Sequence, residues 1–228
     1  MNKQGVFITG TDTGVGKTLV SCALASSLSQ RRPIGVMKPF SSGSREDAEY
    51  LKKFSGLETV KLDQINPVYF QKPLAPFSVK KLGSASLYLK KILPHYQWMK
   101  DHFSFVIVEG MGGLHVPIAH NFMVADLALE MNSPLVIVAC PWLGTLNHTL
   151  LTFDYACSKG LDVSGIIFNA PQRKRDLSVK TNAEVLRHLT NLPILGNIPF
   201  MKGSFEEKVK KIIQGRFFDQ KWLNRMNQ

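Results

Sequence analysis

The stretch GTDTGVGKT, residues 10–18, is the first strong indication of the fold of this chain. It follows a short apolar segment, Gly5–Thr9, and precedes a run of small and apolar residues with helical spacing. A glycine-rich loop between a strand and a helix can bind phosphate, because consecutive backbone N–H groups converge on the anion and the helix N-terminus adds partial positive charge. The stretch therefore predicts a nucleotide-phosphate site, with a purely structural glycine turn as the alternative.

Individual residues of this loop have the chemistry that phosphate binding requires. Gly14 and Gly16 allow tight curvature, Lys17 can reach the β- and γ-phosphates, and Thr18 offers a hydroxyl to magnesium. The common pattern has its first glycine one residue after Gly10. We therefore interpret the stretch as a variant phosphate loop with one extra residue of reach.

The rest of the chain alternates apolar runs with helical patterns. Helices are predicted from near Gly16 to Arg31, over Glu46–Phe54 and over Ser84–Trp98, whereas Asn66–Ser78 reads as an extended loop. Further strands are predicted at Ile34–Lys38, Phe103–Glu109, Leu135–Cys140, Val163–Asn169 and Ile194–Pro199. Strands that are apolar throughout and alternate with helices predict an α/β fold, with a parallel β-sheet flanked by helices on both faces.

Length and composition favour one compact domain over residues 1–228, with residues 216–228 as a terminal helix or tail. No apolar run approaches the roughly 20 residues that span a bilayer, and the N-terminus lacks the pattern of a signal peptide. Cys22, Cys140 and Cys157 are widely spaced in apolar segments, as expected for free thiols. We expect a cytoplasmic protein.

The formal net charge of +11 is compatible with nucleic acid, an acidic membrane or small anionic substrates as partners. The basic residues are scattered along the chain, which favours solvated surfaces over a nucleic-acid-binding stripe. Only the segment RFFDQKWLNRMNQ, residues 216–228, interleaves basic and aromatic residues, and an amphipathic capping helix explains it better. We expect neither nucleic acid nor a membrane as a partner.

Charged residues at strand ends are the next candidates for a site. Glu109 ends an apolar strand before a glycine cluster, so its carboxylate is expected in the crevice where the phosphate loop opens. Lys38 closes the second strand and can meet a phosphate or a carboxylated substrate there, and Ser41–Ser44 adds hydroxyls. Asp47 taken alone is a helix-capping acid. The alternative for Glu109 is a strand-end acid at the surface, and the alternative for Ser41–Ser44 is a solvent loop.

Five motifs occur in one order: GTDTGVGKT at 10–18, KPFSSGS at 38–44, Asp47-Ala48, VEGMGGLHVPI at 108–118 and LGTLNHTLLT at 143–152. In these motifs the chain resembles the dethiobiotin synthetase family, from Val6 to about Phe200. The resemblance implies a homodimer of P-loop α/β subunits. It also implies closure of a ureido ring on 7,8-diaminononanoate with CO2, ATP or another nucleoside triphosphate, and Mg2+, by way of a carbamate and a carbamic-phosphoric anhydride.

The resemblance also implies a role for each matching residue. Thr13, Lys17 and Lys38 would stabilise the carbamate and the transferring phosphoryl group, and Thr18, Asp47 and Glu109 would surround magnesium. The nucleotide would be bound by Gly14, Val15, Gly16, Lys17, Thr18, Leu19, Asp47, Glu109, Gly110, Met111, Gly112, Asn169, Pro199 and Phe200. The substrate would be bound by Ser42 at its reacting end and, across the dimer interface, by the backbone of Leu143, Gly144, Thr145, Leu146 and Asn147.

The chain departs from the family pattern at two positions. Asn169, which would contact the base, is followed by Ala170 instead of a second polar residue, so we expect weak discrimination between nucleotide bases. Gly14 stands where many members of the family have a larger, often acidic residue, which predicts a less restrained phosphate loop.

Two other classes of P-loop protein are alternatives. Partitioning and positioning ATPases of the ParA and MinD type have a lysine five residues before the second lysine of the loop, and this chain has Asp12 at that position. Amidoligase-like enzymes share the sheet but lack the segments that resemble KPFSSGS and LGTLNH. A nucleic-acid-binding protein with a vestigial phosphate loop would bind with a strong salt dependence.

Overall fold

The computed structural model describes residues 5–79 and 84–226 of the chain. The strands are β1 (Gly5–Gly10), β2 (Ile34–Met37), β3 (Phe40–Ser42), β4 (Val68–Phe70), β5 (Phe105–Glu109), β6 (Pro117–Ala119), β7 (Phe122–Met123), β8 (Leu135–Ala139), β9 (Val163–Asn169) and β10 (Ile194–Ile198). The helices are α1 (Lys17–Ser29), α2 (Glu46–Ser55), α3 (Leu62–Ile65), α4 (Pro76–Val79), α5 (Ala85–His102), α6 (Val124–Glu130), α7 (Thr145–Ser158), α8 (Asn182–Thr190), α9 (Phe205–Gly215) and α10 (Gln220–Met226).

A six-stranded parallel sheet forms the centre of the molecule, in the order β10-β9-β8-β1-β5-β2. Every residue of β1, β5 and β8 is buried. Because successive residues of a strand point to opposite faces, helices must cover both faces of this sheet. The predicted α/β fold with a parallel sheet is therefore confirmed.

The sheet topology brings the ends of β1, β2 and β5 together. In the register of the sheet, Ile8 lies opposite Glu109 and Met37 lies opposite Val108. The phosphate loop follows β1, while Lys38 and Glu109 stand at the carboxyl ends of the two neighbouring strands on one side. Carboxyl ends of parallel strands form the crevice in which α/β proteins bind ligands.

The helices pack in groups around the sheet. Helix α1 contacts both α2 and α9, and α7 contacts α8. The buried residues Val20, Leu24 and Leu28 fasten α1 to the core directly behind the phosphate loop. Within the part of the chain that the structure describes, no helix is long and apolar enough to cross a membrane.

The structure differs from the sequence prediction mainly outside the central sheet. The predicted loop Asn66–Ser78 contains β4, which pairs in parallel with β3, and also α4. Helix α5 continues past Trp98 to His102, and β5 accordingly begins at Phe105 instead of Phe103. The hairpin of β6 and β7 was not predicted. Strands of two or three residues are too short to show a pattern.

The C-terminal segment packs onto the end of the sheet. Phe218 forms an isolated bridge with Gly196 of β10, and Trp222 of α10 is buried. A guanidinium nitrogen of Arg32 donates to the backbone carbonyl of Met226. Residues 216–226 are thus an integral part of the fold, and residues 227–228 of the predicted tail lie outside the described residues.

Helix α8 offers two leucines of opposite burial for a stability test. Leu186 is 0% exposed and Leu189 is 55% exposed. We expect Leu186→Ala to lower the free energy of unfolding by about 2–5 kcal/mol, because the methyl groups leave a cavity in the core. Leu189→Ala is expected to change it by less than about 0.5 kcal/mol. Equal losses in urea denaturation would contradict this packing of α8.

Candidate active site

The phosphate loop is held in a curled conformation by glycine and by Lys17. Gly14 and Gly16 have φ angles of 73° and 92°, in the left-handed region that favours glycine. A Cβ atom on Gly16 would also lie 2.1 Å from Nδ2 of Asn169. The ammonium of Lys17 is buried and donates to the carbonyl of Asp12 at 3.0 Å, which closes the loop on itself. The structure therefore contains the predicted strand, loop and helix, as β1, residues 11–16 and α1.

Four side chains from four elements meet beside this loop. Nζ of Lys38 lies 2.8 Å from Oδ2 of Asp47 and 2.6 Å from Oε1 of Glu109. The hydroxyl of Thr18 donates to Asp47 at 2.9 Å or to Glu109 at 2.8 Å. Asp47 thus belongs to this cluster of side chains, in addition to lying in the first turn of α2. The structure brings together four of the residues for which the sequence predicted phosphate or metal chemistry.

The charges in this cluster shift one another's pKa values. Burial lowers the pKa of Lys38, but Glu109 and Asp47 outweigh that effect and raise it overall. Burial raises the pKa of Asp47, but the ammonium of Lys38 and the hydrogen bonds outweigh this and lower it. Burial raises the pKa of Glu109 overall, although Lys38 opposes it. Lys38 is therefore protonated at neutral pH, and added positive charge beside Glu109 would favour its carboxylate form.

The pKa of Lys17 shifts in the opposite direction from that of Lys38. Burial and the positive charge of Lys38 lower the pKa of Lys17 to about 8, although Glu109, Asp47 and Asp12 oppose the shift. The ammonium of Lys17 is mostly charged at neutral pH, but its pKa of about 8 lies close to that pH. An anionic phosphate near Lys17 would raise this pKa again, because an opposite charge favours the ammonium form.

The donor set beside the loop fits a magnesium ion. Oε2 of Glu109 is buried and has no hydrogen-bond partner in the described structure, although a buried polar atom of this kind normally has one. No group of three or more His, Cys, Asp and Glu side chains that could hold a metal occurs in residues 5–79 and 84–226. Magnesium commonly uses one or two carboxylates and completes its octahedron with water and substrate phosphates. The two carboxylates and the Thr18 hydroxyl suit that ion.

These groups line a cleft of about 300 Å³. Its wall also includes Thr13, Ser41, Ser42, Met111 and Gly112. The described structure therefore puts the predicted substrate residue Ser42 on the same cleft as both lysines. Asn66 was missed by the sequence reasoning: its amide donates to the carbonyl of Lys38 at 2.7 Å and fixes the turn after β2. Nothing in the sequence pattern connects these two positions.

Asn169, which the family resemblance assigns to base binding, is a buried residue. It is buried at the end of β9, where its amide nitrogen donates to the carbonyl of Val15 at 2.8 Å and its Oδ1 has no partner in the described structure. In the sheet it pairs with Ile198, immediately before the exposed Pro199 and half-buried Phe200. The two ends of the predicted base site are therefore neighbours, and one of them supports the phosphate loop.

The predicted substrate-carboxylate segment lies at the start of α7, beside a second cleft of about 430 Å³ on the phosphate loop. Gly144 has a φ angle of 96°, which suits glycine at this turn. The N–H of Leu143 donates to Oδ2 of Asp176 at 2.9 Å, and that of Thr145 donates to the carbonyl of Trp142 at 3.0 Å. Two of the five predicted N–H donors thus already have partners within the chain.

Comparison with known proteins decides the family. A protein-family model described as an AAA domain matches residues 4–208. The chain is 38% identical to the ATP-dependent dethiobiotin synthetase BioD of Bacillus velezensis over 97% of both chains. It is 41% identical to the ATP-dependent dethiobiotin synthetase BioD of Bacillus thuringiensis, over 90% of this chain and 87% of the relative. The chain belongs to the dethiobiotin synthetase family. The resemblance seen in the sequence motifs is thereby confirmed.

Solved structures with a similar fold come from other P-loop proteins. A plasmid partition protein from Borrelia burgdorferi has a TM-score of 0.59 and 17% identity, with 95% of this chain and 98% of that chain covered. The MinC:MinD cell division protein complex of Aquifex aeolicus has a TM-score of 0.59 and 14% identity, with 98% and 94% covered. At these identities the similarity shows the shared fold alone.

The lowered pKa of Lys17 predicts a pH-dependent nucleotide affinity. The ammonium form binds phosphate, so the Kd for nucleotide should rise by about tenfold per pH unit above about pH 8, with proton uptake on binding. Below that pH the dependence on Lys17 should vanish. Titration calorimetry from about pH 7 to about pH 9.5, in buffers of different ionisation enthalpy, measures both quantities.

Lys17→Arg is the matched control for this experiment. A guanidinium stays charged over the whole range, so the variant should lose the pH dependence whatever its absolute affinity. A native protein with a constant Kd up to about pH 9.5 would contradict the inference.

Proposed function

We propose that the chain closes the ureido ring of dethiobiotin from 7,8-diaminononanoate, CO2 and a nucleoside triphosphate, with Mg2+. The chain is an enzyme of the ligase class, in a family whose members are named ATP-dependent dethiobiotin synthetases. The observation that carries the proposal is the cleft in which Lys17 and Lys38 lie beside two carboxylates and a phosphate loop. This combination suits transfer of a phosphoryl group to an anionic acceptor.

The proposed reaction has three steps. One amine of the substrate attacks CO2 and loses a proton, which gives a carbamate. A carbamate oxygen then attacks the γ-phosphorus, and the bond to the β–γ bridging oxygen breaks, which gives a carbamic-phosphoric anhydride and nucleoside diphosphate. The second amine attacks the anhydride carbon and loses a proton, and inorganic phosphate leaves with the carbamate oxygen. The residues are needed mainly for positioning and charge neutralisation.

The two lysines would have different tasks in this sequence. Lys38 stays protonated because of its carboxylate partners, so it acts as a fixed cation that stabilises the carbamate and the transferring phosphoryl group. Lys17 starts the helix after the loop, where its ammonium can move from the carbonyl of Asp12 to a phosphate oxygen. The exposed Thr13 would add a hydroxyl at the mouth of the loop.

Magnesium would be held by Thr18, Asp47 and Glu109. The bound ion would neutralise charge on the phosphates as the γ-phosphoryl group moves. Glu109 enters this arrangement with one unpartnered oxygen, and Asp47 with a carboxylate that its lowered pKa keeps ionised. Lys38 holds both carboxylates towards the cleft, so the donor set is already assembled.

We also propose a homodimer in which Leu143, Gly144, Thr145, Leu146 and Asn147 bind the substrate carboxylate for the partner subunit. Two large exposed apolar side chains support an interface. Leu143, within this segment, is 76% exposed, and Leu151, further along α7, is 61% exposed. Leu151 also lines a cleft that reaches the phosphate loop at Thr11 and Asp12. Exposed apolar groups next to a functional site commonly mark a protein contact.

The names of the relatives support ATP as co-substrate, and we propose that the base is read only weakly. The amide nitrogen of Asn169 is committed to the carbonyl of Val15, and Ala170 offers no polar side chain beside it. Specific recognition of a base needs hydrogen-bonding groups that are left unpaired by the wrong base. Few such groups are evident at this corner.

We also propose that the protein is located in the cytoplasm. Cys22, Cys140 and Cys157 are all free thiols in the structure. Free thiols are usual in a reducing compartment, where disulfides are rare.

Activity assays test the proposed function directly. The purified protein should form dethiobiotin from the diamine, bicarbonate, Mg2+ and ATP. Lys17→Ala and Lys38→Ala should each reduce kcat/KM by at least about 100-fold, because each removes a charge that is needed most in the transition state. Product formation is followed by mass spectrometry together with phosphate release.

Lys53→Ala is the matched control for the two lysine variants, because Lys53 is on α2 with an exposed side chain in a surface ion pair. It should keep native activity. Hydrolysis of ATP without consumption of the diamine would disprove the proposed function.

Base preference is tested with three nucleotides. The values of kcat/KM for ATP, GTP and CTP should lie within about 100-fold of one another, which corresponds to about 2.7 kcal/mol. A larger preference for ATP would show that the corner formed by Asn169 and Phe200 reads the base.

A further inference from the structure

The start of α7 is tied to a segment that the sequence reasoning did not connect with it. Asp176 lies seven residues after the end of β9, at the start of a 3-10 turn over Leu177–Lys180. Its Oδ2 accepts from the N–H of Leu143 at 2.9 Å. Its Oδ1 accepts from the N–H of Ser178 at 3.0 Å and from the hydroxyl of Ser178 at 2.7 Å. Both oxygens of this carboxylate are therefore in use.

The side chain of Asp176 has little solvent exposure for an acid in a loop. Its side chain is 13% exposed, and Nζ of Lys174 lies 3.9 Å from its Oδ2. The same Lys174 lies over the ring of Trp142, at 5.4 Å from the centroid. Asn182 of α8 adds a further link, since its amide donates to the carbonyl of Pro141 at 2.8 Å. Residues 141–143 are thus fixed to the segment that follows β9 by three contacts.

Two of the five backbone N–H groups of residues 143–147 have hydrogen-bond partners within the described structure. Leu143 donates to Asp176 and Thr145 donates to Trp142. The N–H groups of Gly144, Leu146 and Asn147 have no hydrogen bond to another described residue. These three groups lie at the positive end of a 14-residue helix, where an anion is favoured.

From these contacts we propose that Asp176 is a positioning residue for the substrate carboxylate. It holds the backbone at Leu143 so that the N–H groups of Gly144, Leu146 and Asn147 face the carboxylate together. It acts through the backbone and does not touch the substrate. This inference rests on the proposed function, because it assumes that a carboxylated diamine binds at the start of α7.

The alternative role for Asp176 is an internal anion that the substrate carboxylate displaces from Leu143. The geometry favours positioning, because displacement would break the bond from Leu143 and disturb the carboxylate that also caps the turn at Ser178. Hydrogen bonds from Leu143 and from Ser178 hold the pKa of Asp176 below its usual range, so the carboxylate is ionised throughout the neutral range. The two roles predict opposite changes in substrate affinity.

The test measures how Asp176→Ala changes KM and kcat with each of two diamines. One is 7,8-diaminononanoate and the other is 2,3-diaminooctane, which has the same vicinal diamine and chain but no carboxylate. With the first, KM should rise about tenfold while kcat stays within about twofold, since one charged hydrogen bond that orders the site is lost. With the second, kcat/KM should stay within about twofold of the native value.

Two further variants separate positioning from general damage to the loop. Ser178→Ala removes one hydrogen bond to Asp176 and leaves the bond to Leu143, so KM for the carboxylated diamine should stay within about twofold. Asp176→Asn has a single acceptor oxygen in place of two, so its KM should lie between those of the native protein and the alanine variant. Melting temperatures of all variants confirm that the compared proteins are folded.

Several results would overturn the inference. These are an unchanged KM in Asp176→Ala, a lowered KM, or equal losses with both diamines. A lowered KM would show that Asp176 is displaced by the substrate, and equal losses would show a merely structural role. Failure of the proposed function is distinguishable from all of these, because the native protein would then form no dethiobiotin.

Discussion

The ion pairs of Lys38 with Asp47 and Glu109 are the interaction on which the site depends. They join the end of β2, the first turn of α2 and the end of β5 through one buried ammonium. Lys38 and Glu109 form the buried pair, with side chains 5% and 0% exposed, whereas the side chain of Asp47 is 47% exposed. Taking the charges of a buried pair out of water costs several kcal/mol per ion, and removal of one partner typically destabilises a protein by about 3–5 kcal/mol. A buried pair of this kind is a weak source of stability, which favours a functional role.

The charges of the cluster also explain what the cleft can accept. Two lysines and two carboxylates balance one another, so the cluster alone does not neutralise a triphosphate. Glu109 keeps an unpartnered oxygen, and Lys17 has a pKa of about 8 that an anion would raise. A divalent cation and phosphate that bound together would therefore supply the charges that favour the ionised forms of Glu109 and Lys17.

The sheet and the phosphate loop could be predicted from the sequence because both depend on local patterns. Each apolar run of the central sheet is long enough to show its character, and the glycines of the loop have φ angles that other residues rarely adopt. Glu109 was predicted as a site residue from its place at a strand end, and the structure puts its carboxylate against Lys38 and Thr18. Asp47 by itself gave only a helix start, and the family resemblance was needed to assign it to the site.

Features that depend on contacts between distant positions could not be predicted. Asn66 supports Lys38 from 28 residues away, and Asp176 binds Leu143 from 33 residues away. Neither pair has a spacing that any helix or strand pattern would reveal. The pairing of β3 with β4 was missed for a related reason, since three-residue strands are recognised only when their partner is known.

We propose that this cleft transfers the γ-phosphoryl group to a carbamate oxygen. The most direct measurement is a single turnover with 18O-labelled bicarbonate in unlabelled water, stopped before the label exchanges with solvent. If a carbamate oxygen attacks phosphorus and leaves with it, the inorganic phosphate should contain one 18O atom per ring closed. Phosphate without 18O, formed together with dethiobiotin, would contradict this phosphoryl transfer.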